Sequence, residues 1–255
     1  VLVAALDTST LTLSCALVDL APGAAPKVRC ERTDRAPAKP VQGAVGGHSA
    51  SLPKALVQLL EAEGLAIPDV EGYAIGLGPG SFTGLRIGLA TWKGLAYANR
   101  RPIAGSSSLA AMALAAAPDA EDGTLLVPLL DAKKGEVYAG FYRAHAGGIV
   151  ELAGDAALGP QALAARVAEL AAEGRRPAAF GEGYEAHAAA LSAVPRLATG
   201  VATPPAAAAA AVVAERLASA AYDAQALFAL EPHYVRASEA ELKFPQGLGP
   251  GARGR

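Results

Sequence analysis

Net charge is nearly absent from this chain, cysteine is scarce and histidine is scattered. Twenty-two Lys and Arg face 24 Asp and Glu, a formal balance of −2. That leaves no basic footprint for direct nucleic-acid binding. Cys15 and Cys30 are the only cysteines in 255 residues. They are too few for a disulfide framework and predict reduced thiols of a cytoplasmic protein. No apolar run approaches about 20 residues without charge, glycine or proline, alanine tracts aside, so no membrane span is expected. The start at Val1 is apolar but has no basic leader and is interrupted by Asp7, so no signal peptide is expected. His48, His145, His187 and His233 form no His-x-x-x-His pair, and no metal site is expected. The length suits one large domain or two lobes.

What the chain does have is glycine, gathered in the stretch from Tyr73 to Tyr97. Tyr73 to Leu77 is short and apolar and predicts a buried strand. Gly78-Pro79-Gly80 forces a tight turn. Ser81 or Thr83 can cap the helix that follows by accepting a bond from its first free amides. That helix carries Gly84, Gly88 and Gly94, each costing roughly 1 kcal/mol relative to alanine. Gly84 and Gly88 share one face, and a strip so bare lets another backbone come close. Three glycine motifs fail here. The phosphate-binding loop needs Gly-Lys-Ser/Thr, but Leu85 and Arg86 follow Gly84. Ser81 and Thr83 break the dinucleotide rhythm. Pro79 and Thr83 flank Ser81 where a nucleophile elbow needs glycines.

Elsewhere, Val1–Leu6 and Leu11–Leu20 read as strands around the polar turn Asp7-Thr8-Ser9-Thr10, and Lys27–Arg32 as a third strand. Thr33–Gly47 reads as a loop. Ser49 or Ser51 can cap a helix with Pro53 in its first turn and a stripe of Leu52, Leu56, Leu59 and Leu60. His48 before it suits a turn or cap. Ile103-Ala104 is a short strand, and Gly105 to Ser108 caps a helix from Leu109 to about residue 117. Thr124–Leu130 and Val137–Arg143 are strands around Asp131, followed by strand Ile149–Leu158 and helix Pro160–Ala172. Gly181-Glu182-Gly183 is a turn, with a short helix at Ala186–Leu191. A long helix begins at Pro204, with Val212, Val213, Leu217 and Ala221 internal. Strand, Asp turn, strand occurs twice, at Asp7 and Asp131, and suggests two duplicated lobes. Taken alone, each turn equally fits an ordinary hairpin, and the lysines beside Asp131 fit a surface ion pair.

The run Gly78-Pro79-Gly80-Ser81-Phe82-Thr83-Gly84-Leu85-Arg86-Ile87-Gly88 closely resembles the signature of the bacterial TsaB family, a glycoprotease-like, non-catalytic paralogue of TsaD. The Asp7 hairpin, the His48-Ser49 pair, the Asp131 turn, and Glu231–Arg236 with Ser238–Glu241 are similar to TsaB as well. The resemblance implies an α/β, actin-like ATPase (ASKHA, ribonuclease H-like) fold with two lobes. Residues 1–104 would form the N-terminal lobe and 105–203 the C-terminal lobe. Residues 204–245 would hold a returning helix and the C-terminal segment, with 246–255 a disordered tail. In that superfamily, nucleotide candidates fall at Asp7, Thr8, Ser9, Asp131, Gly181 and Gly183. The metal histidines of TsaD would fall near Ser108 and Met112, neither a good ligand for a hard or borderline divalent ion.

The resemblance implies no catalytic residue here and no cofactor bound by this chain alone, ATP or ADP being left to the assembled complex. It implies an accessory subunit for making threonylcarbamoyladenosine in tRNA. Its partners would be a TsaD-like catalytic subunit and a TsaE-like ATPase. It would form a homodimer when alone, reach tRNA only through the complex and not meet a membrane. The expected partner interface comprises Leu52, Leu56, Leu60, Gly84, Leu85, Gly88, Leu89 and Trp92. Two alternatives stay open: an independent phosphotransferase or glycoprotease-like hydrolase, and a homodimeric interaction module outside tRNA modification.

Overall fold

The computed structural model describes residues 1–35 and 48–236. The expected tail from Gln246, the Ser238–Glu241 ending, most of the loop before His48, and the side chains of His48, Ser49 and Ser51 lie outside the described residues. Two mixed sheets carry the fold. The first contains β1 (Leu2–Asp7), β2 (Thr12–Asp19), β3 (Lys27–Arg35), β4 (Gly72–Gly76) and β5 (Ile103–Ser106) in the order β3-β2-β1-β4-β5. The second contains β6 (Leu125–Lys133), β7 (Glu136–His145), β8 (Gly148–Leu158) and β9 (Pro177–Phe180) in the order β8-β7-β6-β9. Each begins as an antiparallel three-strand meander and then adds a parallel strand beside the first one. The repeated topology matches the duplication suggested by Asp7 and Asp131, which lie toward the ends of the equivalent strands β1 and β6.

Helices cover both faces. On one side of the first sheet lie α1 (His48–Ala62) and α2 (Phe82–Asn99). Leu2, Ala4 and Leu6 of β1 point to them, and Val3 and Ala5 point the other way. This period-two alternation, apolar on both faces, marks a strand buried between layers. On the opposite side Val3 and Ala5 meet α6 (Ala206–Val212) and α7 (Ala214–Ala218) through Ala206, Ala210, Val213 and Leu217. The second sheet packs one face on α3 (Ser108–Ala116), through Leu109, Met112 and Ala113. Its other face packs on α4 (Pro160–Ala171) through Leu163 and Val167. The short helices α5 (Glu182–Ala186) and α8 (Ala224–Ala229) complete the set. Helices α3 and α6 touch, so the two lobes meet through them. None of the described helices is long and apolar enough to cross a membrane.

Three expectations need correction. The long helix from Pro204 is three short ones, α6, α7 and α8. Val213 has left α-helical geometry (φ −105°, ψ 9°), and this break turns Val213 and Leu217 into the sheet while Val212 stays outside. Alanine propensity is a weak preference, which this burial overrides. The helix expected at Ala186–Leu191 lies earlier, at Glu182–Ala186, because Gly181 (φ 103°) starts it at once. Pro53 lies inside α1 rather than in its first turn, because the helix already starts at His48.

Candidate functional site

Strand β1 delivers Asp7 to the seam between the lobes, where its side chain is fully buried. One carboxylate oxygen accepts from the Ser9 amide (2.8 Å) and the Ser9 hydroxyl (2.6 Å). The other accepts from the Ser108 hydroxyl at 2.5 Å. Ser108 Oγ accepts in turn from the Gly78 amide (3.1 Å), and the Ser108 amide donates to the Gly78 carbonyl (2.8 Å). Ser81 N donates to Ser9 O at 2.6 Å, and Thr8 Oγ1 to Gly84 O at 2.9 Å. The glycine loop therefore clasps the Asp7 turn. A Cβ on Gly76 would overlap the Asp7 carboxylate, one on Gly80 the Ser9 backbone, and one on Gly88 the Thr8 hydroxyl. Gly78, at φ 97°, adopts a backbone that other residues avoid. Ser81 caps α2 by accepting from Gly84 N at 3.2 Å.

Ser108 and Met112 lie one turn apart on α3, between the Asp7 turn and the second sheet. The Ser108 hydroxyl is engaged by Asp7 and Gly78, and the Met112 thioether is buried in the apolar core. A hydroxyl held this way and a soft thioether do not fit a divalent ion of the histidine-bound type. Among the described residues, no three His, Cys, Asp or Glu come close enough to hold a metal. The Met112 methyl lies against Gly181, where a Cβ would also strike the Leu129 carbonyl. Gly183 presses equally on the backbone of Leu129 and Leu130. Close packing against β6 thus accounts for both glycines.

Asp131 occupies its own turn in the second lobe. It accepts from the Lys133 amide (2.8 Å) and the Lys133 ammonium (2.6 Å), and His187 Nε2 lies 3.5 Å away. Partial burial pushes its carboxyl upward, but hydrogen bonds and charge from Lys133, with His187, outweigh this and hold it below the ordinary range. Nearby Glu182 is raised by burial, against the pull of Arg35 and Lys133. Sequence reasoning missed a third carboxylate. Asp155 accepts from the Ser107 hydroxyl (2.6 Å) and the Tyr142 hydroxyl (3.1 Å), and burial raises its pKa. Its one signal was a second acid, after Glu151, in a strand of mostly small and apolar residues. The serine run thus ties both lobes: Ser108 to Asp7 and Ser107 to Asp155.

The eight expected interface residues lie inside the chain. Leu52, Leu56, Leu60, Leu89 and Trp92 belong to the first-sheet core, and Gly84, Leu85 and Gly88 are buried beside them. The indole N–H of Trp92 donates to Ala4 O at 3.1 Å. The chain's own sheet covers them, and the open side of α2 carries Phe82, Arg86, Ala90, Gly94 and Tyr97 instead. A Cβ on Gly94 would meet none of the described residues within 4 Å. Tyr97 is 55% exposed and packs at 5.6 Å on Phe228, itself 63% exposed. Among the described residues, cavities also occur away from the Asp7 and Asp131 turns. One lies between β8 and α4, around Phe141, Ala153 and Arg166, and another between β5 and the C-terminal helices, around Ile103 and Arg216.

The profile of the TsaD family, described as tRNA N6-adenosine threonylcarbamoyltransferase, matches residues 42–244. The TsaB protein of Bacillus subtilis (strain 168), a tRNA threonylcarbamoyladenosine biosynthesis protein, is 35% identical over 147 residues, 58% of this chain and 57% of that protein. TsaB of Escherichia coli (strain K12) is 35% identical over 102 residues, 40% of this chain and 44% of that protein. The chain thus aligns with about half the length of the curated relatives it matches. A solved structure, YeaZ from Pseudomonas aeruginosa, superposes with a TM-score of 0.71 at 25% identity, covering 91% of this chain and 99% of that one.

Proposed function

Since the chain belongs to the TsaD family, on the side of its TsaB members, we propose that it is an accessory, non-catalytic subunit of the tRNA threonylcarbamoyladenosine machinery. In this reading it supports a TsaD-like catalytic subunit together with a TsaE-like ATPase in the cytoplasm. The complex moves a threonylcarbamoyl group from threonylcarbamoyl-adenylate to N6 of the adenosine just 3′ of the anticodon, and tRNA meets this chain only through the complex. The observation that carries the accessory role is the bond from Ser108 to Asp7. At the position where the catalytic relative would place a metal ligand, this chain has a hydroxyl bound to its own carboxylate. Any ATP or ADP belongs to the assembled complex.

The partner surface lies on the open side of α2, continued by exposed Val57 of α1. Aromatic and arginine side chains at its ends, Phe82, Arg86 and Tyr97, have the composition of binding hot spots. A Cβ on Gly94 between them would meet none of the described residues within 4 Å, which allows close approach by a partner helix. The catalytic subunit and a second copy of this chain compete for this surface. Reconstitution tests the proposal. The pure chain is expected to show neither threonylcarbamoyl transfer nor ATPase turnover, and adding it to the other subunits to restore tRNA modification. Robust turnover by the pure chain, lost on Asp7→Ala, would overturn it.

A further inference from the structure

The segment Glu231–Arg236 leaves the first lobe and ends on the second. The His233 amide donates to the Leu77 carbonyl at 2.7 Å, beside the glycine loop. Tyr234 stacks on Phe82 with ring centroids 5.3 Å apart, and its hydroxyl accepts from Arg86 Nε at 3.0 Å. The Arg86 guanidinium in turn lies 3.8 Å from the Phe82 ring centroid. Two residues on, Arg236 donates to the Glu136 carboxylate at 2.6 Å and to the Ala132 carbonyl at 3.2 Å. Glu136 opens β7, and Ala132 is one residue beyond Asp131 on β6. Six residues therefore join the N-terminal end of α2 to the turn that holds Asp131.

We propose that Glu231–Arg236 is a reversible strap that couples the position of the second lobe to the Phe82–Arg86 end of α2. The anchors suit such a role. Arg236 and Glu136 are each about one-third exposed, so water and salt screen their pairing. The Tyr234 anchor is likewise at the surface, where Tyr234 and Phe82 are both exposed. The His233 amide bond to Leu77 sits one residue before the Tyr234 anchor and three before Arg236, so release of either anchor loosens the short segment that holds it. A change at one end of the strap must then reach the other, since free-energy coupling between two sites is reciprocal. A partner seated on Phe82 and Arg86 would bias the Asp131 turn, and a shift of that turn would alter the partner surface.

Hydrogen exchange on the full chain tests this without any ligand. Glu136→Gln keeps the size of the side chain, removes the ion pair and touches only the second lobe. It is expected to speed exchange about threefold in a peptide spanning residues 231–236 and also at Gly76–Ser81. Phe82→Ala is expected to produce the reciprocal rise at Lys133–Glu136, with the amides of β1 unchanged in both variants as the reference for an intact fold. Arg236→Ala should reproduce the Glu136→Gln pattern. The strap is ruled out if each variant raises exchange only at its own end.

Discussion

The Thr8 hydroxyl donates to the Gly84 carbonyl across 2.9 Å and fills the space that a Cβ on Gly88 would need. The apposition of α2 and the Asp7 turn therefore depends on a missing methyl group. Gly88→Ala should destabilise the fold by about 1–3 kcal/mol through overpacking, despite alanine's better helix propensity. Urea denaturation measures it, and a neutral or stabilising result would mean that Thr8 moves aside freely.

Asp7 is held by two groups of Ser9 and by Ser108. Asp7→Asn keeps the size but replaces one carboxylate oxygen with an amide NH2 donor facing groups that now donate to it. A loss of about 1–3 kcal/mol is expected for the disrupted buried bonds. Under the proposed function, tRNA modification by the reconstituted complex should survive at a temperature where the variant remains folded. Loss of modification with normal folding and partner binding would assign Asp7 a chemical role.

Much of this was legible in the sequence for physical reasons. Strands such as Leu2–Asp7, apolar on both faces, and the Gly-Pro-Gly turn are local signals that packing reinforces. The likeness of the Asp7 and Asp131 turns anticipated the shared topology of the two sheets. What the glycines pack against was not legible. A bare strip on a helix looks the same whether it meets Thr8 or a partner, and only the fold brings Thr8 to Gly88. The Asp155 cluster was hidden for the same reason, since Ser107 and Asp155 lie far apart in the chain and meet only across elements. The alanine-rich stretch after Pro204 misled because propensity cannot report the sheet that breaks the helix at Val213.

Asp155 and Asp131 should give opposite pH slopes. Burial raises the Asp155 carboxyl above its ordinary 3.8. Between 3.8 and that higher value the folded state holds a proton that the unfolded chain has released. Its stabilisation is complete below the unfolded pKa and is lost as pH rises through the folded one. Asp131 is lowered from 3.8, so its contribution is present above 3.8 and disappears as pH falls through its folded value. Melting temperatures of Asp155→Asn should therefore lose ground to the parent chain on acidification from about pH 7 to about pH 4, whereas Asp131→Asn should gain ground only below that range. Parallel profiles for all three proteins would contradict both assignments.

Gly94 separates the folding role of the α2 glycines from a binding role. Gly88 is required by Thr8, but Gly94 is exposed and a Cβ there would meet none of the described residues within 4 Å. Within this chain it should behave as an ordinary glycine in a solvated helix, and Gly94→Ala should raise stability by about 1 kcal/mol. A larger side chain there costs the isolated fold little but holds off any helix laid between Arg86 and Tyr97. Gly94→Leu is thus expected to melt no lower than the parent and yet to weaken capture of the catalytic subunit, and self-association, by about tenfold or more. Tyr97→Ala removes an aromatic anchor at one end of the same surface and should cost about 2 kcal/mol of binding if it is a hot spot. Part of any loss could come through its neighbour Phe228, 5.6 Å away, so Phe228→Ala provides the control. Sedimentation of the chain alone, followed by titration with the catalytic subunit, measures both equilibria. If Gly94→Leu and Tyr97→Ala leave both unchanged, the open side of α2 is not the partner surface, and the cost of an exposed glycine in that helix has no explanation in binding.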